Sequence, residues 1–363
     1  MAVYELKHAK QAPLSERGII AWIRHHLLSS PVNIFFTILS LWILYILIPP
    51  LLKWFILDAN FSGQSKADCG GGGACWVFIR EKLKLFVYGF YPSSELWRAN
   101  LAIGLSALSV VLVALERTSR KLKIAIILLL PFVAGGLLSG GFFGLIHIDT
   151  SQWGGLLLTL VIALIGIVAS FPIGLLLALG RQSKLPIIKT LSVFYIELIR
   201  GVPLITLLFM ASVVLPLFFP EGVDFNKLIR ALIGITLFQA AYVAENIRGG
   251  LQAISTGQYE AGSALGLTYW KQMRLVILPQ AIKVAIPNLV GSFIALLMDT
   301  SLVMIIGLYD LLSTVNLASS DRDWLGMSTE GFVFVAIIYW ILNFTMSRYS
   351  KRLEKKLDTN NRD

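Results

Sequence analysis

Charge is scarce in this chain. Only 14% of its 363 residues are Asp, Glu, Lys or Arg, while 56% are hydrophobic. That excludes an ordinary water-soluble domain, whose surface needs far more charge than this. Cysteine is limited to Cys69 and Cys75, with no His or further Cys in the loop around them, so no metal site is expected there. Of four histidines, His8, His25 and His26 precede the first long apolar run and His147 stands alone. Without clustered His, Cys or paired carboxylates, no catalytic residue, metal or cofactor is assigned. Gly70 to Gly73 form a run of four glycines, but no Gly-Lys-Ser/Thr follows, as a phosphate-binding loop requires. A cleavable signal peptide is not expected either. The first apolar run starts late, is long, and ends at Pro49-Pro50 without a small-residue cleavage site.

What the chain does have is repeated apolar runs of about 20 residues, the length that crosses a hydrocarbon core. Eight spans are expected near residues 33–53, 98–116, 124–143, 154–180, 191–219, 228–246, 281–306 and 331–348, giving an all-α polytopic membrane protein. The net charge of +10 follows this topology. With both termini cytoplasmic, most of the 31 Lys and Arg residues fall on the cytoplasmic side or its margins, as the positive-inside rule requires. The basicity is therefore no nucleic-acid face; the partner it implies is the lipid bilayer.

Taken in order, residues 1–32 are a cytoplasmic segment in which Ile19, Ile20, Ile23 and Leu27 share a helical stripe. That fits either a helix lying in the membrane interface or a solvated lead-in. Residues 58–96 make a long external loop with Trp76, Tyr88 and Tyr91, rings suited to an interface belt. Cys69 and Cys75 lie in that loop, either as a disulfide in an oxidising compartment or as two unrelated thiols. No ionisable group is read deep within spans one to three, which are taken as scaffold. Further on, Glu197 and Arg200 share a helix face and can pair at i,i+3, and Gly201 and Pro203 then break or kink the helix. Glu245 and Arg248 repeat the spacing. Gln239 and Tyr242 sit about a turn apart inside the bilayer and must face protein or water. Asp299 is the one carboxylate well inside an apolar run, with the hydroxyls of Thr300 and Ser301 next to it to satisfy it. It is read either as an interhelical hydrogen-bond node or, with Gln239, Tyr242, Thr300 and Ser301, as part of a translocation path.

The stretch around which the chain is organised is Gly257 to Lys283, a polar interruption between two apolar runs. A short helix is expected from about Gln258, carrying Glu260 near its N-terminus, where negative charge is favoured. It should stop at Gly266, a residue suited to a left-handed helix end. A second short segment carries Lys271 and Arg274, and Pro279 opens the next run. The elements Glu260-Ala261-Gly262, Gly266 and Ile277-Leu278-Pro279 resemble the E-A-A, glycine and I-x-L-P of the cytoplasmic loop in membrane subunits of bacterial ABC importers. Only the second alanine departs, to glycine. Glu197-Leu198-Ile199-Arg200-Gly201-Val202-Pro203 resembles the polar amino-acid permease subfamily, as does Ala244-Glu245 through Gly250. The sequence from Met298 to Leu302 is similar to that family's K-D-T-S-L, with Met298 in place of lysine. Cys75-Trp76 through Trp97-Arg98 looks like the extra N-terminal region of M-type general L-amino-acid permeases.

The resemblance implies a type I ABC importer permease core over 150–349, preceded by an extra transmembrane region over 33–149 and followed by a basic tail over 350–363. It implies a non-catalytic inner-membrane subunit carrying L-amino acids. No Walker motif occurs in the chain, so a separate ATPase subunit would supply energy by docking on Glu260, Ala261, Gly262, Gly266, Ile277, Leu278 and Pro279. A related permease subunit, making a heterodimer, and a periplasmic amino-acid-binding protein complete the expected partners. The alternative is an ion-coupled secondary amino-acid transporter, which would need internal repeats; no convincing repeat is found.

Overall fold

The computed structural model of the chain describes residues 18–115, 117–142, 144–220 and 226–357. Leu14 and Arg17 of the expected interface helix, and residues 358–363 of the tail, lie outside them. The chain divides into two compact units, Met1–Val77 and Phe78–Asp363.

In the first unit, α1 (Gly18–His26) leads to α2 (Pro31–Leu52). Ser30 Oγ caps α2 by accepting from the Asn33 N–H at 3.2 Å, and Pro31 occupies the first turn, where a missing N–H is harmless. Pro49 and Pro50 lie inside α2, which relaxes into a π-helical turn at Lys53–Leu57. None of α2's side chains is buried within the unit, as befits a helix apolar on every side. Beyond it, the chain folds back through Asn60 N–H to Ala74 C=O and Trp76 N–H to Asn60 C=O. Cys69 and Cys75 are bridged, with their Cα atoms 5.6 Å apart. Backbone N–H groups of Gln64 and Ser65 hold the Asp68 carboxyl below its usual range.

The second unit contains the rest of α3 (Trp76–Tyr88), then α4 (Leu96–Ala114), α5 (Arg120–Ser139), α6 (Gly155–Arg181), α7 (Pro186–Gly201), α8 (Leu204–Val213), α9 (Lys227–Gln252), α10 (Thr256–Ala264), α11 (Tyr269–Gln272), α12 (Leu278–Asp299), α13 (Leu311–Ser319) and α14 (Ser328–Leu357). Among the described residues seven helices are long and apolar enough to cross a membrane, and an eighth if α7 and α8 count as one broken span. Those two meet at 105°. The break or kink expected at Gly201 and Pro203 within the span 191–219 is thus present, because Pro203 has no N–H to continue α7 and disfavours helical backbone at Val202. The stretch 307–330, expected as an external connection, holds α13, whose Leu311, Thr314, Val315 and Ala318 are buried.

Arg98, in the first turn of α4 at the edge of the expected second span, is fully buried in the protein. Its Nε donates to Leu137 C=O at 2.7 Å and its Nη1 to Ile146 C=O at 2.9 Å. Unpaired carbonyls at the end of α5 make a favourable site for a cation, so this arginine fastens the α4–α5 hairpin rather than opening a path.

The centre of the unit is the contact of α6 with α9. A Cβ on Gly174 would lie 2.6 Å from Val243 Cβ, and one on Gly166 would lie 3.0 Å from Ile235 Cγ2. Small residues let helices approach where lipid removes any hydrophobic drive for association.

Two outcomes follow from these contacts. Gly174→Leu should cost about 1–3 kcal/mol of overpacking and lower the thermal midpoint of the purified protein, whereas Gly104→Leu, with open space around it, should not; equal midpoints would show that α6 and α9 do not meet this closely. The Cys69→Ser/Cys75→Ser variant should insert normally and lose roughly 2 kcal/mol of local stability, the chain-entropy value for so short a ring. Thiol labelling of both cysteines in unreduced native protein would contradict the bridge.

Candidate functional site

The polar loop is built on α10. Its last turn closes with Leu267 N–H on Gly262 C=O at 3.1 Å and Gly266 N–H on Ser263 C=O at 2.9 Å. This is the paired helix ending in which the next residue is left-handed. Gly266 takes that position with φ +66°. The helix begins at Thr256 rather than near Gln258, which places Glu260 beyond the first turn. The helix-dipole contribution expected for Glu260 therefore falls away, since the effect is confined to the terminal turn.

The departure of Gly262 from alanine has a local cause. A Cβ there would lie 2.5 Å from Gln272 Nε2 and 2.8 Å from Gln272 Cγ. Gln272, buried, passes over Gly262 to donate to Tyr259 C=O, and Gln280 Nε2 reaches Gln258 Oε1 at 3.1 Å. These bonds fasten α10 to the following helix. Ile277 is also buried, in a cluster with Val243, Ile247 and Ala281. Of the seven residues assigned to docking, Gly262 and Ile277 thus hold the loop from inside, while Glu260, Ala261, Gly266 and Pro279 are exposed and Leu278 is half-buried. The sequence reading missed the large apolar side chains that the loop presents: Leu265 is 79% and Trp270 69% exposed, with Tyr269 and Leu275 beside them. Bulky apolar residues in an otherwise polar loop were the available signal.

Pro279 stands in the first turn of α12, as expected, but no gap in the helix precedes it. α11 continues through a π-helical turn, Met273–Ile277, directly into α12, and a 3₁₀ segment, Thr300–Ile306, extends the run further. The apolar run is therefore one helical rod over Tyr269–Ile306, longer than the 281–306 expected. Pro279 has no N–H to donate, and the Leu278 N–H before it closes the π turn on Met273 C=O.

Close to the loop, five charges from three helices converge. Arg181 at the end of α6 lies 2.7 Å from Glu197 Oε1 and 3.6 Å from Glu245 Oε2. Arg200 lies 3.7 Å from Glu245 and 5.7 Å above the Tyr242 ring. Arg248 grips both Glu245 oxygens, at 2.5 and 2.9 Å. The expected Glu197–Arg200 pair does not form. Helical spacing allows it, but Arg181 from the neighbouring helix takes Glu197, and Glu245 draws Arg200 away.

The five residues read as a translocation path have separate partners within the bundle. Gln239 is buried and donates to Ser292 Oγ at 3.2 Å, joined there by Asn246 at 3.1 Å; it ties α9 to α12. Tyr242 lies against Phe238, the rings tilted by 44° with centroids 4.8 Å apart. Thr300 and Ser301 turn back to Leu297 and Met298 carbonyls, the usual alternative for a hydroxyl within a helix. They leave Asp299, half-buried, with no hydrogen bond or ion pair among the described residues. Thr300 is also 3.5 Å from Tyr339 Oη, which donates to Asp310 Oδ2 at 3.1 Å. Asp310 is fully buried, caps α13 through Ser313 N–H at 3.0 Å, and lies beside the Leu311 N–H that donates to Thr159 Oγ1. Asp310 before Leu311-Leu312-Ser313 is a legible helix-cap pattern, and nothing in the sequence placed it against Tyr339.

Residues 170–359 match the family described as "Binding-protein-dependent transport system inner membrane component". The "Inner membrane amino-acid ABC transporter permease protein YhdY" of Escherichia coli (strain K12) is 54% identical, over 95% of this chain and 94% of that protein. The "Glutamate/glutamine/aspartate/asparagine transport system permease protein BztC" of Rhodobacter capsulatus is 39% identical, over 99% of this chain and 98% of that protein. A solved structure described as "Crystal structure of an amino acid ABC transporter with histidines" is 34% identical, covering 56% of this chain and 92% of its own, with a TM-score of 0.49.

The charge cluster makes a sharp expectation. Glu245→Gln should destabilise the protein by about 1–3 kcal/mol, because it strips a charge-assisted partner from three arginines. Arg200→Gln, at a longer distance, should do less. Thermal unfolding at low and high salt measures both, and equal losses in the two variants would mean that Glu245 is not the hub.

Proposed function

The chain belongs to the family of binding-protein-dependent transport system inner membrane components, and from that premise we propose that it is one translocation subunit of an ATP-driven importer of L-amino acids. It is a multi-pass inner-membrane protein. A separate ATPase and a soluble binding protein are the partners its family implies. The finer proposal is a heterodimer with a related permease, both termini in the cytoplasm, and an importer core over 150–349 to which the region 33–149 is an addition. The amino-acid class is supported by the two full-length relatives, whose names specify amino-acid transport.

The observation that carries the reading is the α10 loop with its exposed Leu265, Tyr269 and Trp270, joined without a break to α12. An apolar patch of this kind on a short fixed helix suits a groove on a soluble partner. Because Gln272 and Ile277 fasten the loop from within, a displacement of α10 by the ATPase moves α12 as a rod. The loop adjoins the end of α9, so the same push reaches both helices that Gln239 and Asn246 tie together. ATP then shifts the equilibrium between two pore states through its partner's differential affinity for them.

Gly266 isolates this coupling. Nothing lies within 4 Å of where its Cβ would be, so Gly266→Val acts through backbone strain of about 1 kcal/mol or more and not through a clash inside the chain. It should leave insertion and pairing intact but uncouple ATP hydrolysis from uptake or release the ATPase. Glu260→Ala should weaken the same contact less. Reconstituted complexes read this as substrate-stimulated ATPase activity beside a pull-down of the ATPase subunit. Normal coupling and retention in Gly266→Val would remove the loop from the mechanism.

A further inference from the structure

The α4–α5 hairpin does not close fully against the importer core. Between α4, α5 and α6 lies a cleft of about 630 Å³, floored by the start of α9 at Leu228 and Leu232. A smaller hollow of about 160 Å³ continues it, and Val110, Pro131 and Leu164 belong to both. Along α6 the furrow runs from Leu157 to Val168, a length of roughly 17 Å at 1.5 Å per residue. Half of a hydrocarbon core is about 15 Å. The furrow is therefore as deep as one leaflet.

Its chemistry is uniform along that length and changes at one end. Ser106 and Ser139 spend their hydroxyls on Ala102 and Gly135 carbonyls of their own helices, at 2.8 and 2.9 Å, so the walls are apolar in effect. At the end near the start of α6 stand Thr150, Asn226 and Trp153, the polar and aromatic composition of a membrane interface. Trp153 is 4% exposed and closes that end. At the side, Val110 is 64% exposed, so the furrow opens laterally.

We propose that this furrow holds one acyl chain of a phospholipid, drawn from the leaflet at the Trp153 end. The apolar walls offer water too few partners to order it, and no charged side chain lines the space to receive an amino acid. A partner helix is about 10 Å across, wider than a gap whose walls α5 and α6 pack on each other. An acyl chain is flexible and apolar, and one spanning a leaflet matches the furrow's length. The extra N-terminal hairpin then acts with the core as a lipid-binding element, and this rests on the membrane location alone, not on the importer reading.

Gly135 gives the test. It lines the furrow, and nothing lies within 4 Å of where its Cβ would be, so Gly135→Phe fills the space without a clash. Gly104→Phe, on α4 away from the furrow and equally free, is the control. The full chain, extracted with its partner subunits in mild detergent, is read by native mass spectrometry for retained phospholipid. Wild type and Gly104→Phe should keep one phospholipid per copy, and Gly135→Phe should lose it. Independently of any variant, wild-type protein in vesicles of phosphatidylcholine with a diazirine-tagged acyl chain should be labelled at Ala107, Val161 or Leu164. Absence of retained lipid in the wild type, equal retention in both variants, or labels confined to outward residues such as Leu108 and Phe132 would overturn the assignment.

Discussion

The close approach of α9 to its two neighbours is the constraint on which the rest of the structure depends. Glycines at 166 and 174 let α6 come in from one side, and Gly250 lies against the Ala281 carbonyl of α12 on the other. In a bilayer the solvent is as apolar as the side chains, so association rests on fit and on hydrogen bonds between helices. α9 has both: small residues along its length, and Gln239 and Asn246 bonded to Ser292 of α12. A helix held on two faces cannot bend independently. Whatever moves its loop end must move α6, α9 and α12 together.

That constraint gives the loop its mechanical meaning. α10 is short, and isolated helices of that length are marginal, yet it is fixed by its left-handed ending and by Gln272 lying over Gly262. Five charges brace the neighbouring helix ends. Each arginine there shares a carboxylate, which keeps partly buried charges paired where loss of one partner would leave others exposed to a low dielectric. At the Thr159 end of α6 a second polar group, Asp310 with Tyr339 and Thr159, closes off α13. These two polar anchors bracket an otherwise apolar bundle. Asp299, near the second anchor, is bonded to neither among the described residues.

The N-terminal hairpin follows a different logic. Arg98 fixes one end of α4 and α5 by binding the Leu137 and Ile146 carbonyls together with the Glu95 carboxylate, so the hairpin is rigid there and parts from the core further along. A hairpin that touches α6 and α9 at one end leaves a wedge beyond it, and the proposed lipid site is that wedge.

The sequence by itself determined what depends on local composition. Apolar run length fixed the polytopic helical class, Gly201-Val202-Pro203 fixed the break between α7 and α8, and Gly266 fixed the end of the loop helix, because each follows from backbone chemistry within a few residues. The bridged cysteines were legible only as one of two alternatives, since pairing needs proximity that spacing permits but does not enforce. Only tertiary structure decided the rest. Glu197 and Arg200 share a face yet part company because Arg181 and Glu245 arrive from other helices. Gln239 is polar inside an apolar span, a pattern that serves a pore and an interhelical bond equally well until Ser292 is seen opposite it. Ile277 carries a motif position but is buried, while Leu265 and Trp270 carry none and are exposed. Partners that lie far apart along the chain leave no periodicity behind, and so their pairing is settled only when the helices pack.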